Sequence, residues 1–115
     1  MNKVKVTVGG STREDAAAFI DAWHRIEAGE ALDEHRLSFQ SLEGLMAVLT
    51  TRRFEILKDV HRTPAPSVAA LAKRLHRNYR NVYDDVSALT RAGLLSRSGT
   101  QVKTEYDVIE ARMTL

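Results

Sequence analysis

The chain has 115 residues, 43% hydrophobic and 28% charged, the balance of one globular domain with a single modest core. It has no cysteine, no apolar run near the ~20 residues of a membrane span and no apolar leader after Met1-Asn2-Lys3-Val4, which excludes disulfide scaffolds, thiolate chemistry and membrane spans and leads us to expect a cytoplasmic protein. The net charge of +2 is uneven: residues 1–50 carry five Lys/Arg against eight Asp/Glu (−3), residues 51–115 twelve against seven (+5), as in a chain with one polyanion-binding half.

Lys3 to Val8 alternates apolar and polar residues up to Gly9-Gly10, a strand followed by a turn. Ser11 and Thr12, with Glu14 and Asp15 three residues on, form a capping box for a helix from about Thr12 to Ala28. It would bury Ala16, Phe19, Ile20, Trp23 and Ile26 and stop at Gly29. Glu30 to Arg36 is polar and reads as a connector. Ser41 is placed to cap a short helix through Leu42, Leu45, Met46 and Leu49. Thr50 or Thr51 starts another, Arg52 to about His61, with Phe54, Leu57 and Val60 predicted to face inward. Thr63-Pro64-Ala65-Pro66 is the sharpest break in the chain.

After that break Ser67 suits an N-cap, and Val68, Leu71, Ala72 and Leu75 fall on one helical face. Asn78 begins a further helix whose buried stripe is Val82, Val86 and Leu89, and which ends at Gly93. Two short helices joined by so tight a turn match a helix-turn-helix, whose second helix enters the major groove. Opposite the apolar stripe lie Arg77, Arg80, Asp84, Ser87 and Arg91, flanked by Asn81 and Tyr83. Arginine reads guanine edges or phosphates, asparagine reads adenine, and a tyrosine hydroxyl bonds phosphate. The amino-terminal positions Arg77, Arg80, Asn81 and Asp84 should reach deepest, with Asp84 alternatively orienting Arg80 four residues away. Ser67, Lys73, Asn78 and Tyr79 complete the candidate set on these two helices.

A charged helix face is most often merely solvated; here the following segment shifts the balance. Leu94 to Lys103 reads as strand, glycine-containing turn and strand, with Arg97, Ser98, Thr100, Gln101 and Lys103 around the tip. A basic hairpin directly after a recognition helix is the wing of a winged helix. From Arg52 to Lys103 there are eleven Lys/Arg against four Asp/Glu, a net +7.

Catalysis finds little support. His24, His35, His61 and His76 have no mutual spacing of three or four residues, so no helical metal pair is expected. Val8-Gly9-Gly10-Ser11 is an anion-binding turn only in outline, lacking the lysine and further glycines of a phosphate loop. No cofactor and no metal are expected.

The string Ser67 to Leu95 resembles the core of MarR-like winged-helix regulators, whose usual shape begins S-v-x-x-L-A-x-x-L and ends in G-L-I; the leucines, the Leu-Ala pair and the final Gly93-Leu94 coincide. A wider resemblance is to short prokaryotic predicted regulators, through Phe19-Ile20-Asp21-Ala22-Trp23-His24 and the R-L-S-F-x-S-L-E-x-L pattern of Arg36 to Leu45. Some of those lie beside a small toxin and are thought to act as its antitoxin. The resemblance implies an operon repressor and, for such members, a cognate toxin as partner. Asp84 departs from it, since many relatives of the broader fold carry a basic or neutral residue there.

The expectation is therefore an α+β chain, mainly α with a small β component. Residues 1–50 would form an amino-terminal strand and helices for dimerisation or partner binding, and residues 51–115 a winged helix-turn-helix with a carboxy-terminal strand. Val4, Val6 and Val8 share one face of the first strand, and Ile109, Ala111, Met113 and Leu115 share one near the end. These edges need neighbours, within one chain or exchanged between two. A homodimer would set two recognition helices ~34 Å apart on a palindromic double-stranded operator. The competing expectation is a protein-interaction module that neutralises or scaffolds a partner without binding DNA.

Overall fold

The three valines of the first strand set the architecture. Val4, Val6 and Val8 are buried while Lys3, Lys5 and Thr7 between them are half-buried, and the segment forms β1 (Lys3–Val8). The computed structural model describes residues 1–9 and 34–115; the helix expected over Thr12 to Ala28 lies outside them. The described chain is α+β. After β1 come β2 (Glu34–Phe39), α1 (Leu42–Val48), α2 (Thr51–Arg62), α3 (Val68–Leu75), α4 (Tyr79–Arg91), β3 (Ser96–Ser98), β4 (Gln101–Lys103) and β5 (Val108–Met113).

β1 is the centre of a three-stranded sheet in the order β2-β1-β5, parallel on both sides. Val4, Val6 and Val8 lie beside His35, Leu37 and Phe39 on one flank and Ile109, Ala111 and Met113 on the other. The two terminal strands thus pair within one chain. The expected connector at Glu30 to Arg36 is corrected, because the strand β2 already begins at Glu34. Its alternation is short and starts on histidine, so the polar residues mask it in the sequence, and its pairing with β1 supplies what the pattern lacks.

Helix starts follow their caps. The side chains of Ser41, Thr50 and Ser67 accept hydrogen bonds from the backbone N–H groups of Gly44, Arg53 and Ala70, satisfying donors that a first turn leaves free. In α2 the inward residues are Ile56, Leu57 and Val60, and the expected inward Phe54 is instead 45% exposed. The helix is rotated so that Ile56 enters the core and Phe54 stays at its margin, with Lys58 Nζ 5.9 Å from the ring centroid.

The main core joins Val4 of β1 to Ile56, Leu57 and Val60 of α2, Val68, Leu71 and Ala72 of α3, Val82, Val86 and Leu89 of α4, and Leu94, Leu95 and Val102. Each such buried aliphatic residue contributes about 1.5–3 kcal/mol. Leu37, Leu49 and Ile109 bridge this cluster to a smaller one of Val6, Val8 and Leu45. Packing therefore runs continuously across residue 50, with no gap between the two halves drawn from the sequence. Ala65, between two prolines, exchanges backbone hydrogen bonds of 2.9 and 2.8 Å with Val102, so the break at Thr63 to Pro66 also fastens the hairpin to the helices.

Candidate nucleic-acid interface

α3 and α4 are separated by His76, Arg77 and Asn78. His76 ends α3 in the left-handed conformation (φ 55°, ψ 44°), which reverses the chain sharply. Asn78 then caps α4, its Oδ1 accepting from the N–H groups of Arg80 (2.8 Å) and Asn81 (3.3 Å). Arg80 and Asn81 thus sit in the first turn of a helix whose start is fixed and whose opposite face, Val82, Val86 and Leu89, is fully buried.

The exposed side of that first turn carries Tyr79, Arg80, Asn81, Tyr83 and Asp84. Arg80 Nε lies 3.7 Å from Asp84 Oδ1, with the two side chains 82% and 60% exposed. So loose an exposed pair is worth little, and Arg80 can leave it for a stronger acceptor. The rings of Tyr79 and Tyr83 stand 6.1 Å apart, one turn along the same flank. Ser87 is half-buried, and Arg91, exposed, closes the last turn at the far end of the helix.

Arg77 does not join this surface. Its Nη2 donates to Asp85 Oδ2 at 2.7 Å, its side chain is 14% exposed, and its buried Nη1 has no hydrogen-bond partner among the described residues. Asp85 Oδ1 simultaneously accepts from Arg53 Nε at 3.1 Å, and Arg53 Nη1 caps the carbonyls of Ala47 and Val48 at 3.0 Å. One carboxylate therefore holds two guanidiniums and ties α1, α2, the turn and α4 together. Arg77, expected from the sequence to reach deepest toward DNA, is in this arrangement a support for α4, because a charge on the inner side of the turn can be buried only if it is paired.

The hairpin β3–β4 closes with a two-residue loop, Gly99-Thr100, between Ser98 and Gln101. Gly99 has φ +61° and Thr100 does not have a positive φ, the pattern of a type II′ turn with glycine first. Arg97, Ser98, Thr100 and Gln101 are exposed and Lys103 is half-buried, while Val102 between them is fully buried and anchors the strand. On α3, Lys73 is exposed and lines a shallow concavity with Arg77 and Tyr79. Ser67 has its hydroxyl engaged as the helix cap at Ala70.

Two features escaped the sequence pattern. Arg52 lines a polar concavity with Asn81 and Asp84 and adds an exposed cation beside the first turn of α4. Arg74 bonds Asp59 at 2.7 Å and the Thr63 carbonyl, bracing α3 against α2. Neither placement has a local signal, since the residues brought together are eleven or more positions apart in the chain.

Among the described residues no group of three or more His, Asp or Glu is placed to hold a metal ion, and no helix is long and apolar enough to cross a membrane. A protein-family model, HVO_A0114, matches residues 48–111, just over half of the chain, and the chain belongs to that family. The match runs from the end of α1 into β5 and includes every residue of the α3–α4 unit and the hairpin. No curated protein and no solved structure matches the chain.

Proposed function

We propose that this member of the HVO_A0114 family is a transcriptional repressor that binds double-stranded DNA with a winged helix-turn-helix. In this reading α4 enters the major groove, the β3–β4 hairpin lies on the adjoining backbone, and a homodimer spans a palindromic operator. The observation that carries it is the first turn of α4: Arg80 and Asn81 stand exposed on a turn fixed by Asn78, with a buried stripe behind it. Arg80 would exchange Asp84 for a guanine edge or a phosphate, Asn81 would read adenine, and Tyr79 and Tyr83 would donate their hydroxyls to phosphates. Arg97 and Lys103 supply cations on the hairpin.

The test is binding to the DNA upstream of the protein's own gene across a salt series. Arg80→Ala is expected to weaken specific binding by about 1–3 kcal/mol, about five- to 150-fold. Arg97→Ala should weaken all sequences alike and reduce the salt slope by about 1. The slope is bounded by the structure. Arg52, Lys73, Arg91, Arg97 and Lys103 have no ion pair among the described residues and Arg80 has a weak one, so these cations offer about six phosphate contacts per protomer, about twelve for the dimer and a slope near −11. Absence of binding to this DNA and to random DNA at moderate salt would overturn the proposal in favour of a protein-interaction module.

A further inference from the structure

The three-stranded sheet ends at β5, whose outer edge has no strand partner among the described residues. The backbone direction along that edge follows from its ladder with β1. Val108 N donates to the Asn2 carbonyl and Thr114 N to that of Val8. A parallel strand sends the N–H and C=O of alternate residues to opposite sides, so Ile109, Ala111 and Met113 aim theirs outward. The register with β1 runs unbroken and the strand holds no proline. An edge left in this state is a template for another strand.

The side chains say which strand fits. Ala111 and Met113 are exposed, Met113 by 51%, on the face shared with β1's valines. The other face carries Glu110, 3.0 Å from Lys3, and Arg112, which has no ion pair among the described residues. The run from Ile109 to Met113 is thus apolar, acidic, apolar, basic, apolar about Ala111.

We infer that β5 pairs antiparallel with β5 of a second copy, around a two-fold axis at Ala111, joining the two three-stranded sheets into one of six strands. Outward-facing residues must oppose one another, which leaves few registers. Centring on Glu110 sets two glutamates face to face, and centring on Arg112 sets two arginines face to face; like charges directly opposite are destabilising. Centring on Ile109 or Met113 makes no Glu–Arg pair and brings less of the strand into register. Centring on Ala111 places Glu110 opposite Arg112 twice and Ile109 opposite Met113 twice. The Glu–Arg pairs then fall at the non-hydrogen-bonded positions, where facing side chains come closest.

A two-fold axis normal to the sheet keeps the inner faces of both copies on one side, and with them both α3–α4 units. On the DNA-binding reading this supplies the second half-site, but the pairing itself does not depend on that reading. Sedimentation equilibrium of the full chain tests it. Wild type is expected to be a dimer. Arg112→Glu and Glu110→Arg each set like charges opposite at both pairs, and each should raise the dimer dissociation constant on the order of tenfold or more. The double exchange Glu110→Arg with Arg112→Glu should restore the dimer.

Ala111→Pro removes only outward N–H groups, which an edge strand tolerates, and should yield a monomer with an unchanged far-ultraviolet spectrum. Should the proline variant unfold, the charge exchange carries the test alone. Arg80→Ala should leave the dimer intact, which separates this inference from the DNA reading. A wild type monomeric at tens of micromolar would overturn the pairing, as would a dimer indifferent to the single reversals or one not restored by the exchange.

Discussion

The carboxylate of Asp85 braces four elements through two guanidiniums, and its removal has a calculable cost. It accepts from Arg53 at 3.1 Å and Arg77 at 2.7 Å, and the three side chains are 17%, 20% and 14% exposed. Breaking a buried pair by deleting one partner costs about 3–5 kcal/mol, because the remaining charge is stranded. Residual exposure screens part of that, so Asp85→Ala should cost about 3 kcal/mol. For a chain of this size that is roughly a 10 °C fall in Tm. Arg77→Ala should cost less, about 1–2 kcal/mol, since Asp85 keeps Arg53 and loses one charged hydrogen bond. Replacing the whole triad, Arg53→Met and Arg77→Met with Asp85→Leu, should recover much of the loss, as apolar replacement of a buried ionic group often does. Urea unfolding of the three variants decides it. A loss below about 1 kcal/mol for Asp85→Ala, or a larger loss for Arg77→Ala, would refute the view that one carboxylate supports both arginines.

Ile56→Ala should cost about 2–5 kcal/mol as a core truncation, whereas Phe54→Ala should stay within about 1 kcal/mol; comparable losses in urea unfolding would contradict the observed rotation of α2. A Cβ at Gly99 meets nothing within 4 Å, so Gly99→Ala should cost only the left-handed backbone term of about 1–2 kcal/mol, with Gly99→Asn cheaper, as read by thermal unfolding. Asp107 is held below its ordinary pKa first by the hydrogen bond from the His61 ring, then by the Asn2 backbone N–H. Its contribution is present above the unfolded carboxylate value and is lost as pH falls through the lowered folded value. Asp107→Asn should therefore flatten the acid limb of stability against pH, and an unchanged limb in denaturant titrations would count against the contact.

Much of the fold was legible because it rests on local signals. Ser41, Thr50, Ser67 and Asn78 each announce a helix with a side-chain oxygen of the right reach, and the valines of β1 and the stripe of α4 carry clean periods. β2 was not legible, since only Leu37 and Phe39 on its alternating face are apolar, too few to outweigh their polar neighbours, and its pairing with β1 bridges distant parts of the chain. The face of α2 was misread for a related reason. Phe54, Leu57 and Val60 satisfy helical spacing as well as Ile56, Leu57 and Val60 do, and only packing against α3 and α4 chooses between them.

The charges show where composition stops being informative. The eleven cations between Arg52 and Lys103 look like one basic surface, yet Asp59 takes Arg62 and Arg74, and Asp85 takes Arg53 and Arg77. Four of the cations are thereby neutralised in part, and three of them, Arg53, Arg74 and Arg77, are committed to holding elements together, while Arg62 pairs within its own helix. What the sequence presents as excess charge is divided by the fold into an internal brace and a thinner outer set. The division depends on which acids lie across a helix interface, which no spacing along the chain reveals. Arg77 and Arg80 are three positions apart in one charged stretch; one is turned in upon Asp85 and the other is 82% exposed. The net charge of +7 already counts those acids and is not lowered by the pairing; what the pairing changes is its placement, leaving a few exposed cations that no carboxylate has claimed.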